Sequence, residues 1–480
     1  MRRLPLRVLL SLALLAGIFA GRAAAAEVVS TLADQMSVAV TIYNEDLALV
    51  KDRRQVVLEP GEATLAIREV SARMRPETAL FRGVDLAGGL TVLEQNFDFD
   101  LLTPEKLLEK YVGREVGVVR THPATGQETR EEATVLSANN GVVLRMGDRI
   151  ETGVPGRLVF DKVPATLRDR PTLVMSLAND GGGPREVELS YLTGGLGWQA
   201  DYVAELNREE TALDLNGWVT LTNTSGTSYN DASLQLVAGD VHRVREEMDR
   251  GRRFKATEMM AAAAPAMAEE ELFEYHLYTL ARPTTIKENQ TKQVALLQGA
   301  GVECGKEYRL DGQQYYYQSR QGDLGRKLKV GVFLLFDNER DKGLGVPLPR
   351  GVVRVYQRDS RGRVQFVGED RIDHTPEGET VRLRLGDSFD VTASRTQTDF
   401  EKIAGVSQAS FVLESGYRIE LKNGRDEEVT VKVVEPLPGD WRILEESSRH
   451  EKESATTAVW LIPVPAKGEA VLTYRVRVRY

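Results

Sequence analysis

Apolar and polar residues alternate along most of this chain in short runs. Val38, Val40 and Ile42 keep a period of two, as do Val56 and Leu58, then Leu65 and Ile67, with Glu59-Pro60-Gly61-Glu62 between the last two runs. Such a period points successive side chains to opposite faces of a strand, and Pro/Gly punctuation reverses the chain, so residues 36–95 are expected to form antiparallel strands. The texture returns at Val187–Leu192, Trp198–Leu206, Trp218–Asn223 and Ala232–Val237, with a glycine-rich turn at 193–197. It is clearest at the end, where Tyr417–Lys422, Glu428–Val434, Val459–Ile462 and Ala470–Val478 alternate over turns at Asn423-Gly424 and Lys467-Gly468. The expected class is all-β: several antiparallel β-sandwiches, immunoglobulin-like at the C-terminus.

Two stretches break the pattern. In residues 103–163, Thr103 can cap a short helix with Pro104 at its first position and Leu107, Leu108 and Tyr111 on one face. Strand-like runs follow it, and Asn139-Asn140-Gly141 is a tight-hairpin signal. A short helix leading into a small bent sheet suggests an SH3/Sm-like barrel insertion. From Glu246 to Glu271 alternation is lost among Arg250, Arg252, Arg253, Met259, Met260, an alanine run broken by Pro265, and three glutamates. That composition predicts a mobile loop. The expected divisions are therefore 1–26, 27–100, 101–166, 167–245, 246–271, 272–405 and 406–480. Strands are expected to resume at Leu272, and no fixed period indicates a propeller or solenoid.

The first division is an address rather than a domain. Arg2, Arg3 and Arg7 precede an apolar stretch from Val8 to Ala20, and Ala23-Ala24-Ala25-Ala26 stands directly before Glu27. This charged, apolar, small-residue order predicts a signal peptide cleaved after Ala26, hence export to the periplasm or cell envelope. The apolar core is short for a membrane span, which needs roughly 20 residues. The formal charge is −9, and loss of residues 1–26 removes arginines but no acids, which argues against nucleic acid as a partner. Cys304 is the single cysteine, so no intramolecular disulfide can form and stability must come from apolar cores.

Several landmarks carry a family likeness: Val40-Thr41-Ile42-Tyr43-Asn44, Gly197-Trp198-Gln199-Ala200-Asp201-Tyr202, Leu221-Thr222-Asn223 and the run Leu234–Asp240. Pro436–Trp441 and the terminal strand after Gly468-Glu469 complete the set. Together they resemble a bacterial envelope family catalogued as domain of unknown function 4139, which includes mucoidy-inhibitor-A-like proteins. The resemblance implies an exported β-protein and brings no active site with it.

Candidate chemistry is sparse. Glu369, Asp370, Asp373 and His374, with Glu377 and Glu379 beyond, could hold an oxygen-loving divalent cation, or could be the solvated connection of an acidic hairpin. None of the histidines 122, 242, 276, 374 and 450 pairs at zinc-motif spacing. His242 could share a strand face with Asp240, as an acid–base pair or a surface ion pair, while alternation places His276 on one strand face. Gly299-Ala300-Gly301-Val302-Glu303-Cys304 begins like a dinucleotide fingerprint but has a cysteine where the last glycine belongs. No Gly-x-Ser-x-Gly elbow or phosphate loop occurs. Tyr315-Tyr316-Tyr317 could offer rings to a glycan or peptide, though in a strand the middle ring faces away. Tyr474, Val476, Val478 and Tyr480 alternate with arginines, as in the last strand of a sandwich or of an outer-membrane barrel.

No catalytic or cofactor-binding residue is assigned, and no cofactor is expected. The expected function is that of an exported β-scaffold contacting an envelope protein or polysaccharide. The alternative is an envelope hydrolase or metal-dependent enzyme whose residues converge from distant strands.

Overall fold

The computed structural model describes residues 27–44, 46–84, 89–139, 141–164, 167–239, 267–272, 275–403 and 412–480. The proposed signal segment, the Asp240–His242 pair and residues 246–266 of the expected loop lie outside them. The described chain is all-β: one α-helix, Pro104–Lys110, and a few single-turn 3-10 segments accompany strands in four sheets.

Residues 27–100 and 167–245, expected as separate domains, share one core. Ala39–Tyr43 pairs in parallel with Ser233–Val237, and Ala48–Leu58 runs antiparallel to Gly183–Thr193. The buried faces of these strands, among them Val40, Ile42, Leu58 and Leu236, meet Leu65, Ile67, Leu173 and Leu177 of a four-stranded sheet. The local alternation was right, but periodicity does not say which sheet a strand joins. Strand structure also resumes earlier than Leu272: Ala268–Leu272 pairs with Tyr275–Thr279, and Met267 before it is buried.

Between Leu107 and Phe160 the described residues form a small core of their own. The helix begins as expected, with the Thr103 hydroxyl accepting from the Lys106 amide, and Leu107, Leu108 and Tyr111 pack with Val118, Val135 and Leu144 of a five-stranded sheet. This segment is inserted between two hydrogen-bonded neighbours, Leu90–Asp98 and Thr172–Asn179. Arg168 clamps the neck, with two guanidinium nitrogens on the Glu27 carboxylate at 2.9 Å each and Nε on Asp98 at 3.0 Å. The fork geometry of an Arg–carboxylate pair fixes direction as well as distance.

A thirteen-stranded sheet joins the first core to a second. Three of its strands are unusually long: Gln290–Asp311, Asp323–Asp337 and Thr380–Ile403. One part of each serves the first core through Val302, Leu334 and Leu383, and the other serves the second through Leu310, Val330 and Val391. The pairing slips between Lys329 and Gly331 and between Val332 and Phe333, where the strands pass from one core to the other. Slips of this kind bend a sheet and re-aim its side chains. The unit expected over 406–480 is accordingly not self-contained, because Val431–Val434 needs Tyr308–Asp311 as its parallel neighbour.

The two cores echo one another. Ala212–Asn223 followed by Tyr229–Ala238 matches Val412–Asn423 followed by Val429–Pro436. At the shared turn, Asn223 Nδ2 donates to the Thr227 carbonyl and its Oδ1 accepts from the Ser225 amide, at 2.8 and 3.0 Å. Asn423 does the same to Glu427 and from Arg425, at 2.8 and 2.9 Å.

Candidate functional site

Where the three long strands change cores, the surface is concave. A cleft of about 320 Å³ is lined by Leu206, Glu210, Lys306, Phe333, Val367, Leu385, Asp387, Phe389 and Arg425, among others. Its polar walls are largely self-satisfied. Lys306 bonds the Glu210 carboxylate, Gln357 Nε2 donates to the other Glu210 oxygen at 3.4 Å, and Arg425 Nε donates to Glu427 at 2.9 Å. Burial pushes the Glu210 carboxyl up, but the Lys306 ammonium outweighs it and holds the group below its ordinary range.

The apolar part is different. Phe389 is 96 % exposed at the rim and Val367 in the lining is exposed too, while Val364 and Phe366 are exposed on the same strand, Val364–Ile372, outside the cleft. The Phe366 ring has Tyr356 beside it, at 5.6 Å between ring centres. A phenylalanine standing in water forgoes roughly 1.5–3 kcal/mol of burial. A single exposed ring is ordinary, but contiguous apolar surface marks recognition sites, and Phe389 shares the cleft lining with Val367 and Leu385.

Cys304 lies behind this cleft, half-buried, with its thiol directed at the Glu210 carbonyl at 3.8 Å. Burial, aided by the Glu210 charge, pushes the thiol up to about 11, the opposite of what a nucleophile needs. The Gly299–Cys304 run is the interior of a strand, with no helix after it to receive a phosphate.

The family enters here. Its model, described as Domain of unknown function (DUF4139), matches residues 187–480. The chain belongs to this family. No curated protein matches the chain. The matched DUF4139 span contains all three long strands and every cleft residue named above, and it excludes the inserted segment.

The acidic residues singled out in the sequence do not converge. Glu369 pairs with Arg354 Nε at 3.2 Å, Asp370 accepts from the Arg384 amide at 2.7 Å, and Glu377 lies 3.6 Å from Arg340. His374 Nδ1 accepts from the Arg350 amide at 3.3 Å. Among the described residues no three His, Cys, Asp or Glu side chains are grouped to hold a metal. His122 caps its own turn, His276 meets Glu269 at 2.7 Å, and His450 meets Glu446 at 2.8 Å.

The three tyrosines are not in a strand. Gln314–Tyr317 is a 3-10 turn that folds Tyr316 and Tyr317 into the second core and leaves Tyr315 outside. Beneath it lies a fully buried ion pair, Arg395 Nη2 to Glu435 Oε1 at 2.6 Å. The Tyr317 hydroxyl donates to Glu435 Oε2 at 2.6 Å, and the Tyr316 ring lies 4.9 Å from the guanidinium. Burial pushes the Glu435 carboxyl up, against the opposing pull of Arg395 and Tyr317. From here rings continue inward, Tyr317 to Tyr417 to Tyr474 to Trp460, with centres 5.2, 5.1 and 4.7 Å apart. The terminal strand Glu469–Arg479 turns Tyr474, Val476 and Val478 into this core, while Arg475 and Arg477 bond Glu414. Tyr308 and Val332, at the edge of this core, reach the cleft lining, while the Arg395–Glu435 pair does not.

Proposed function

We propose that the chain is an exported cell-envelope protein that works by binding, holding a protein or polysaccharide partner against the cleft between its two cores without turnover. The observation that carries this reading is Phe389, almost wholly exposed at the rim of a cleft whose charged walls are largely paired. A catalytic cleft would present an activated group, whereas the thiol behind this one is held protonated. Export rests on the residue order before Glu27. Edges and shallow pockets of β-sheets recognise partners through backbone groups and a few anchors, which suits a fold of this class.

Chemical crosslinking in intact cells, followed by mass spectrometry, tests the reading. A reproducible envelope protein or glycan adduct is expected, and it should diminish in a Phe389→Ser variant. A protein recovered only from the cytoplasm, or crosslinked only to itself, would overturn it.

A further inference from the structure

Beside the cleft, separated from it by the Phe333 ring, is a second depression of about 260 Å³. Its floor is made by an absence: Gly331 occupies the middle strand of three, between Arg309 on one neighbour and Asp387 on the other. A side chain there would fill the space, since a Cβ would already stand 2.9 Å from the Phe333 ring. Around this floor stand three cations, each from a different long strand: Arg309, Lys329 and Arg384.

Their partners do not use them up. Arg309 Nε donates to Asp311 at 2.7 Å, and its guanidinium carbon lies 5.8 Å from the centre of the Phe333 ring. Arg384 and Lys329 share a single carboxylate, Asp387, at 3.0 and 3.2 Å. Burial raises the Asp387 carboxyl, and the bonds from Arg384 and Lys329 outweigh that and leave it below its ordinary range. Arg309 faces Asp311 and also Glu453, whereas Arg384 and Lys329 have only Asp387 between them, so the positive excess lies on the Arg384–Lys329 side, in a chain whose formal charge is −9. The side chains of Arg384 and Lys329 are 60 % and 77 % exposed, so both heads can turn to an incoming group without leaving water. Guanidinium forks suit planar or tetrahedral oxyanions, and strand-borne groups hold their spacing better than loop-borne ones.

We propose that the depression over Gly331 is an anion subsite, taking a carboxylate or phosphate group of the ligand while the adjoining part of that ligand lies on Phe333 and continues into the cleft. This rests on the cleft being a recognition surface. Failure to find any cellular partner would overturn that reading and leave the following titration standing, so the two fail separately.

Calorimetric titration of the purified protein at low ionic strength, with tripolyphosphate, trigalacturonate and uncharged maltotriose, tests the subsite. One or both anions should bind, maltotriose should not, and the anion that binds identifies the source of the oxyanion. The double variant Arg309→Gln/Arg384→Gln should weaken binding at least tenfold, and Lys329→Gln by a smaller factor. Arg361→Gln/Arg442→Gln, an equal loss of charge on exposed residues elsewhere, should leave it unchanged. Each variant's melting temperature is checked first, and Lys329→Gln stands in if the double variant unfolds. Binding of neither anion, undiminished binding by the variants of the depression, or equal loss in the control pair would each overturn the proposal.

Discussion

Replacing Arg395 with methionine removes one half of the buried pair and leaves Glu435 inside the second core. Both side chains are fully shielded from water, so solvent cannot take over the lost partner. Breaking a buried pair from one side costs about 3–5 kcal/mol. With a urea slope of roughly 2–3 kcal/mol per molar, the midpoint of the second core's transition should fall by about 1–2.5 M. Trp441 and Trp460 belong to that core, while Trp198 belongs to the first, so fluorescence of a Trp198→Phe/Trp218→Phe background reports the affected half. The loss should shrink at acid pH. Burial already raises the Glu435 carboxyl above its unfolded value, so the folded state keeps a proton where the unfolded chain has released it. Stability from this group is therefore full below the unfolded pKa and declines as pH rises through the folded one. Without the guanidinium the folded value rises further, which makes Arg395→Met most costly at neutral and alkaline pH. Arg395→Met/Glu435→Leu should recover most of the loss, since Tyr317 and Tyr474 still bond each other at 2.8 Å. A single variant within about 0.2 M of the parent, or a double variant no better than the single, would refute the reasoning.

Other outcomes follow from the same geometry. Asn223→Ala and Asn423→Ala each strip side-chain bonds from a buried turn, and each should cost roughly 2–3 kcal/mol by denaturant titration, in the first and second core respectively. Cys304, with its thiol pushed up to about 11, should react with a disulfide reagent at pH 7.5 at least a hundredfold more slowly in the folded protein than in urea. Raising the pH toward that value should speed the native reaction. N-terminal sequencing of the envelope-fraction protein should begin at Glu27, and intact Met1 in that fraction would contradict the export reading.

The strands were legible because period two is a local property. Val38, Val40 and Ile42 read as one buried face and are one. So was the start of the helix, since Thr103 and Pro104 act within one turn. What escaped was pairing at a distance. Nothing near Val40 says that its neighbour is Leu234, and nothing near Val431 says that it needs Tyr308. The length of Thr380–Ile403 was hidden because Gly386 and the slipped pairing break the alternation where the strand bends. The tyrosines misled for a related reason: period two was assumed where a 3-10 turn folds two rings inward. The candidate site was not visible at all. Arg309, Lys329 and Arg384 sit on three strands, and each reads alone as an ordinary solvent-facing cation. The repeated Asn turn did have a signal, an asparagine ending an apolar strand in Leu221-Thr222-Asn223 and again in Leu421-Lys422-Asn423. Most other side chains around the turn differ between the two copies, while the leucine, the asparagine and its hydrogen bonds are the same.

The central claim is that the protein meets its partner at the cleft beside Phe389. Site-specific photocrosslinking in living cells tests it most directly, with a benzophenone amino acid placed at position 389 and, separately, at the exposed positions Val57 and Leu461 away from the cleft. The account predicts a defined envelope adduct from position 389 that is weak or absent from positions 57 and 461. No adduct at 389, or equal adducts from all three positions, would contradict it.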